Sequence, residues 1–261
     1  MLLAIDVGNT NVTIGVFDGT TLVHNWRLAA LRDRTADELG ILVTRLFETT
    51  HVQVETVSGI VVASVVPPLT RPIEEMCGRY FGRPALLVDA ANAGIPIDYF
   101  PPGDVGADRI VNAVAAREKY GRGGEVPLIV VDFGTGTTFD VISRDGEYVG
   151  GIICPGIGIS AEALFQRAAR LPLVEVRKPD GVVGQTTVAA IQSGLFFGYV
   201  EMVDGLLRRI REEVAGGEDA VVIATGGLAG VLSSEARGIH HVEPNLTLEG
   251  LRLIWQRNRP A

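Results

Sequence analysis

Two short stretches of this chain set an aspartate beside glycine and a run of hydroxyl and amide side chains. They are Asp6-Val7-Gly8-Asn9-Thr10-Asn11 and Asp132-Phe133-Gly134-Thr135-Gly136-Thr137-Thr138. Each follows an apolar run, so each aspartate ends a strand expected to be buried. A carboxylate there is costly unless it meets a cation or hydrogen bonds. The glycine lets the backbone turn sharply and approach a ligand closely. Asn and Thr side chains and the turn N–H groups can then bind phosphate oxygens. One such stretch alone reads equally as an ordinary hairpin, for which Asn and Gly are favoured. Two copies, each opening half of the chain, suit a metal–triphosphate ligand faced by two aspartates across one cleft. Neither is a Walker A loop, and no convincing dinucleotide fingerprint follows the first strand.

Three further stretches are chemically suggestive. Gly106-Ala107-Asp108-Arg109 follows Tyr99-Phe100-Pro101-Pro102. An Asp–Arg pair opening a helix on a proline-stiffened loop can take a proton from an alcohol and hold a carboxylate. The same pair also reads as a helix cap with a solvated arginine. Ala224-Thr225-Gly226-Gly227-Leu228-Ala229 ends a strand in two glycines. Such a turn leaves room for a flat ring or a ribose, or is a plain connection. Gly150 through Gly158 is too rich in glycine for a simple strand–helix link, and a helix N-terminus after it would accept an anion. His24, His51, His240 and His241 show no metal-ligand spacing and read as structural or solvated.

The elements that must position these residues follow from the apolar pattern. Runs at 2–6, 12–17 and 21–27, with an Asp18-Gly19 turn, make a three-strand meander. Leu39, Leu42, Val43, Leu46 and Phe47 fall at helical spacing, with Thr35 or Asp37 as the cap. A strand at 59–64, a helix at 68–80, a strand at 85–88, a loop at 94–105 and a helix at 108–120 complete the first half. Then the pattern restarts: strands at 128–132, 137–143 and 147–154, with Asp145-Gly146 at the turn. Helices at 157–170 and 187–214, a strand at 220–225 and helices from 227 and at 247–256 follow. The pattern is an internal repeat of two related α/β halves, at 1–118 and 119–261. The polar, glycine-rich stretch 119–125 is the expected linker.

Composition narrows the function. A chain of 261 residues with 47% hydrophobic and 21% charged residues is an ordinary soluble globular protein. A net charge of −8 disfavours a nucleic-acid partner and makes anion binding a local matter. Cys77 and Cys154 read as buried thiols rather than a disulfide scaffold. The start MLLAIDVGN reads as a buried strand, not a signal peptide, and no apolar run is long enough to span a bilayer. The cytoplasm is the expected compartment.

Taken in order, DVGNTN at 6–11, GADR at 106–109, DFGTGTT at 132–138, GGIICPG at 150–156 and GQTT at 184–187 resemble type III pantothenate kinase over essentially the whole chain. One departure is Phe100-Pro101-Pro102, where the family pattern has Asn-Pro and Pro101 takes the Asn position. The resemblance implies an actin-like, sugar-kinase-like ATPase fold of two ribonuclease H-like halves with a nucleotide cleft between them. It implies ATP-dependent phosphorylation of the primary hydroxyl of pantothenate, the first step of coenzyme A synthesis. It also implies a homodimer, Mg²⁺, and a monovalent cation, K⁺ or NH₄⁺. On it, Asp108 is the general base, and Tyr99, Gly106, Ala107, Asp108, Arg109 and Thr187 hold pantothenate. Asp6, Val7, Gly8, Asn9, Thr10, Asn11, Val12, Thr13 and Thr135 bind ATP. Asp132 holds the monovalent cation, and Asp6 meets Mg²⁺ directly or through water. Other readings are a sugar or acetate kinase of the same architecture, or a non-catalytic regulatory protein on the same fold.

Overall fold

A computed structural model describes residues 1–121 and 126–259. The chain forms two compact units, one of Met1–Ala115 with the stretch from Asn245 onward, the other of Ala116–Pro244. In the first, β1 (Leu2–Val7), β2 (Asn11–Asp18), β3 (Thr21–Ala29), β4 (Gly59–Ser64) and β5 (Leu86–Leu87) form one sheet in the order β3-β2-β1-β4-β5. In the second, β6 (Leu128–Phe133), β7 (Gly136–Ile142), β8 (Tyr148–Pro155), β9 (Val221–Thr225) and β10 (His241–Val242) are ordered β10-β9-β6-β7-β8. Read from opposite ends the orders coincide. In both, the first three strands pair antiparallel, the fourth pairs parallel to the first, and the fifth pairs parallel to the fourth. Both second hairpins are bulged, at Val16/Phe17 and at Val141/Ile142. The internal repeat is therefore a repeat of topology and of irregularity.

β1 and β6 are the central strands, so their residues are apolar on both faces, apart from Asp6 and Asp132. Helix α1 (Ala36–Thr49) starts at a capping box, in which Thr35 accepts from the Glu38 amide and Glu38 accepts from the Thr35 amide. α2 (Pro67–Phe81) begins with two prolines, where an amide hydrogen has no helical partner anyway. Gly82 ends it at φ +64°, the left-handed cap that glycine adopts without penalty. Leu39, Val43, Phe47, Leu69, Ile73 and Cys77 of these helices close the first core against Ile5, Ile14 and Val62. The second core sets α5 (Thr187–Glu213) on its sheet, through Phe196, Val200, Val203 and Leu207.

Two expectations are revised. Lys119 and Tyr120 close helix α3 (Ala107–Tyr120) instead of opening a linker, and positions 122–125 of the expected linker lie outside the described residues. The second half does not keep the chain's end. Helix α7 (Leu246–Asn258) packs on β1, β2 and β4 of the first unit. The fit is close, since a Cβ on Gly59 would lie 2.1 Å from Cζ2 of Trp255, and one on Gly250 would lie 2.1 Å from the Val111 carbonyl. The remaining helices are α4 (Ile157–Arg167) and α6 (Ala229–Leu232). Among the described residues no helix is long and apolar enough to cross a membrane.

Candidate functional site

In the first unit, Asp6 occupies the penultimate position of β1, between Thr13 of β2 and Ala63 of β4. It is the one half-buried residue among the last five of a buried strand. The chain then reverses tightly, with the Gly8 amide donating to the Asn11 carbonyl at 3.0 Å. Asn9 and Thr10 stand exposed at the tip. The segment after β3 ties back to that tip, since the Ala30 amide donates to the Thr10 carbonyl at 2.9 Å and Arg32 Nη2 donates to Asn9 Oδ1 at 3.4 Å.

The GADR stretch sits at this same end of the sheet. The Val65 amide, just past β4, donates to the Val7 carbonyl, and Val65 Cγ1 lies 3.4 Å from where a Cβ on Gly106 would be. Asp108 stands in the first turn of α3, its Oδ1 accepting from the Arg109 amide at 2.8 Å. A side chain on Gly106 would put its Cβ 2.6 Å from that oxygen, so this glycine is what lets the carboxylate lie there. Burial raises the proton affinity of Asp108, and the amide and guanidinium of Arg109 offset this only in part. Arg109 itself is buried. Tyr99 is 37% exposed on the preceding loop.

In the second unit, Asp132 lies between Thr138 of β7 and Thr225 of β9. Two glycines pack directly on its turn. Gly226, at φ +92°, would place a Cβ 2.5 Å from Asp132 Oδ1. Gly156, which caps α4, would place one 2.1 Å from the Thr135 carbonyl, and its amide donates to that oxygen at 3.1 Å. The space that Gly226 leaves is thus filled by the phosphate-type turn itself. Tyr199 of α5 braces the same region: its hydroxyl donates to the Pro155 carbonyl and lies 3.2 Å from Thr137 Oγ1. Glu243 clips the other side, its amide donating to Ala224 and its carbonyl accepting from Thr225 Oγ1 at 2.8 Å. Its carboxylate is held by Lys119 at 2.8 Å and by the Tyr120 hydroxyl. Desolvation pushes Glu243 up, but these partners outweigh it and its pKa falls, while the Tyr120 hydroxyl is pushed up to about 12.

Sequence reasoning found both aspartate turns and the GADR stretch, and missed Tyr199, Gly156 as a packing position, and Glu243. Only the glycine density around 150–158 signalled any of them. Thr187 stands exposed on the first turn of α5 and lines a cavity of about 480 Å³ with Leu164, Leu171, Ile191 and Leu195. The histidines are structural or solvated as expected: His240 Nδ1 accepts from the Val222 amide, His24 stacks on Trp26, His241 stacks on Tyr120, and His51 is exposed.

Among the described residues no three His, Cys, Asp or Glu side chains gather to hold a metal. A lone carboxylate beside hydroxyls nonetheless fits Mg²⁺, which takes few protein ligands and keeps its waters and substrate phosphates. The donors at Asp132, carboxylate and hydroxyl oxygens, are those a hard monovalent cation takes.

A family model described as type III pantothenate kinase matches residues 2–209. A type III pantothenate kinase of Anaeromyxobacter sp. (strain K) is 54% identical over 260 residues, 99% of this chain and 100% of the relative. Among solved structures, a Campylobacter jejuni protein given as a candidate Baf family transcriptional activator superposes with a TM-score of 0.60 at 20% identity, over 98% of both chains. An inorganic polyphosphate/ATP-glucomannokinase from Arthrobacter sp. strain KM superposes with a TM-score of 0.53 at 15% identity, over 98% of this chain and 99% of that one. At such identities these two show the fold alone, the α/β architecture shared by sugar kinases and actin-like ATPases.

Proposed function

The chain belongs to the type III pantothenate kinase family and phosphorylates pantothenate at the expense of ATP, and we propose that Asp108 is its general base. The observation that carries this assignment is the Asp108 carboxylate. It is fixed by the Arg109 amide, given room by Gly106, and made more basic by burial. The substrate's primary hydroxyl gives its proton to Asp108 as the phosphoryl group arrives. Phosphoryl transfer depends mainly on positioning and charge stabilisation, so a modestly basic carboxylate suffices. Arg109, with Tyr99, Gly106, Ala107 and Thr187, holds the rest of pantothenate. Asp108→Asn should cut kcat by about 10²–10⁴-fold while ATP still binds. A near-wild-type rate with pantothenate in a coupled assay would sink the assignment.

The first turn, Asp6 through Thr13, and Thr135 of the second take ATP, with Asp6 toward Mg²⁺. Bound Mg²⁺ supplies charge neutralisation at the phosphates; the turns supply N–H and hydroxyl donors. Asp132 holds a monovalent cation. The support is charge: a carboxylate set beside phosphate oxygens on a chain of net charge −8 needs compensation. Turnover should therefore rise with K⁺ or NH₄⁺ over Na⁺ at fixed Mg²⁺. Equal rates in K⁺ and Na⁺ buffers would remove the monovalent site and leave Mg²⁺ standing.

A homodimer is supported by the number of exposed apolar side chains in the second unit, where Phe165, Leu173, Val182, Val183 and Val188 are 43–88% exposed. Sedimentation of a single chain at micromolar concentration would rule it out. Free Cys77 and Cys154 fit a reducing cytoplasm, which cell fractionation tests directly.

A further inference from the structure

Neither aspartate turn contains a cation of its own: positions 6–13 and 132–138 have no Lys or Arg. The strand register shows where the first turn finds one. Directly opposed residues of neighbouring strands share a face of the sheet. Asp6 opposes Thr13, and Thr13 opposes Arg27 of β3, so the three stand in one row on one face. Each step across the sheet is about 5 Å, which puts Arg27 about 10 Å from Asp6 with Thr13 between them. The equivalent row of the second unit is Asp132, Thr138 and Ile153. There the third member is apolar and 68% exposed. The repeat thus places an arginine in the row that starts at the first turn's aspartate and an isoleucine in the matching row of the second.

Arg32 reaches the same turn by another route. The chain leaving β3 is pinned to the tip by the bond from the Ala30 amide to the Thr10 carbonyl. Two residues later the Arg32 guanidinium touches the side-chain oxygen of Asn9, at 3.4 Å. Both arginines are exposed, and among the described residues neither is in an ion pair. An exposed arginine is ordinarily just solvated. Two of them, one touching Asn9 of an anion-type turn that lacks a cation and one in the same face row as its aspartate, are placed as a phosphate clamp would be. The planar guanidinium matches phosphate oxygens in bidentate fashion.

We propose that Arg27 and Arg32 form a cationic rim on the first turn that binds the β- and γ-phosphates of the nucleotide. The proposal rests on the reading of that turn as the phosphate site. The test compares wild type, Arg27→Ala, Arg32→Ala, the double variant, Arg32→Lys and Asn9→Ala. For each, KM for ATP and pantothenate and the inhibition constants of ADP and adenosine are measured at two salt concentrations. Each single alanine variant should raise KM for ATP and the ADP inhibition constant about tenfold, the loss of one charge-assisted contact. The double variant should also flatten their salt dependence. Adenosine inhibition and KM for pantothenate should stay as in wild type, and Arg32→Lys should recover part of the loss. If the double variant handles ATP and ADP normally while Asn9→Ala does not, the rim is overturned and the turn stands. If Asn9→Ala is silent too, the turn reading falls and the rim with it. Equal losses for adenosine and ADP would make the arginines structural and overturn the proposal.

Discussion

Burial raises the proton affinity of Asp108, while the Arg109 amide and guanidinium pull it down and do not prevail. In the unfolded chain the same carboxyl titrates in its usual range. The fold therefore favours the protonated acid, and its relative stability is fully present below the usual carboxylate pKa and declines as pH rises through the folded-state value. Wherever the unfolded carboxyl is ionised, burial of Asp108 therefore costs the protein stability, as is common for a residue held for chemistry. Asp108→Asn keeps an oxygen for the Arg109 amide and removes the charge. It should raise Tm by a few degrees at pH 7, with the gain fading near pH 4. Thermal melts at the two pH values check this, and an unchanged or lower Tm at pH 7 would contradict it. On the proposed role of Asp108 as general base, the acid limb of kcat in the wild-type enzyme should lie above the ordinary carboxylate range, because a base must be ionised to act.

The second phosphate-type turn is held by elements distant in the chain, and that is where sequence reasoning ran out. Asp132, Gly134 and the threonines were legible because one strand and one turn carry them. Gly156 and Gly226 grip that turn from the ends of β8 and β9, contacts that leave no periodicity in the sequence. Tyr199 lies in the middle of the 27-residue helix α5, whose apolar spacing buries it whether or not its hydroxyl has work to do. β10 is only two residues long, too short to show a pattern. The grip itself is testable. Gly226→Ala forces a side chain into φ +92° and sets a methyl 2.5 Å from Asp132 Oδ1. The backbone strain alone costs on the order of 1–3 kcal/mol. On the proposed cation role of Asp132, the variant should need more K⁺ for half-maximal turnover, with KM for pantothenate little changed. Wild-type cation dependence together with a wild-type Tm would show that the turn tolerates the intrusion and is not positioned by this glycine.

Sequence order suggests that the last helix belongs with the half it follows, and the fold shows why order misleads. β1 is central in its sheet, so both faces need cover. α1 and α2 supply one face, and α7 returns from the end of the chain to supply the other. Gly15 and Gly59 open room on that face for Leu248 and Trp255. Leu246, Leu248, Leu251, Leu253 and Ile254 of α7 are all buried. At about 1.5–3 kcal/mol for each such side chain, their burial is comparable to the roughly 5–15 kcal/mol that stabilises a whole domain. A chain ending at Pro244 should therefore lose the first unit and keep the second. Hydrogen exchange distinguishes the two directly. Amides of Leu2–Val7, which pair with β2 and β4, should exchange freely in the truncated chain. Amides of Leu128–Phe133, the matching central strand of the second unit, should stay protected, because their sheet is closed by α5 and keeps its own core. Protection of both strands would mean that α7 only decorates the first unit. Loss of both would mean that the two units fold as one cooperative body, in which Asp108 and Asp132 stand or fall together.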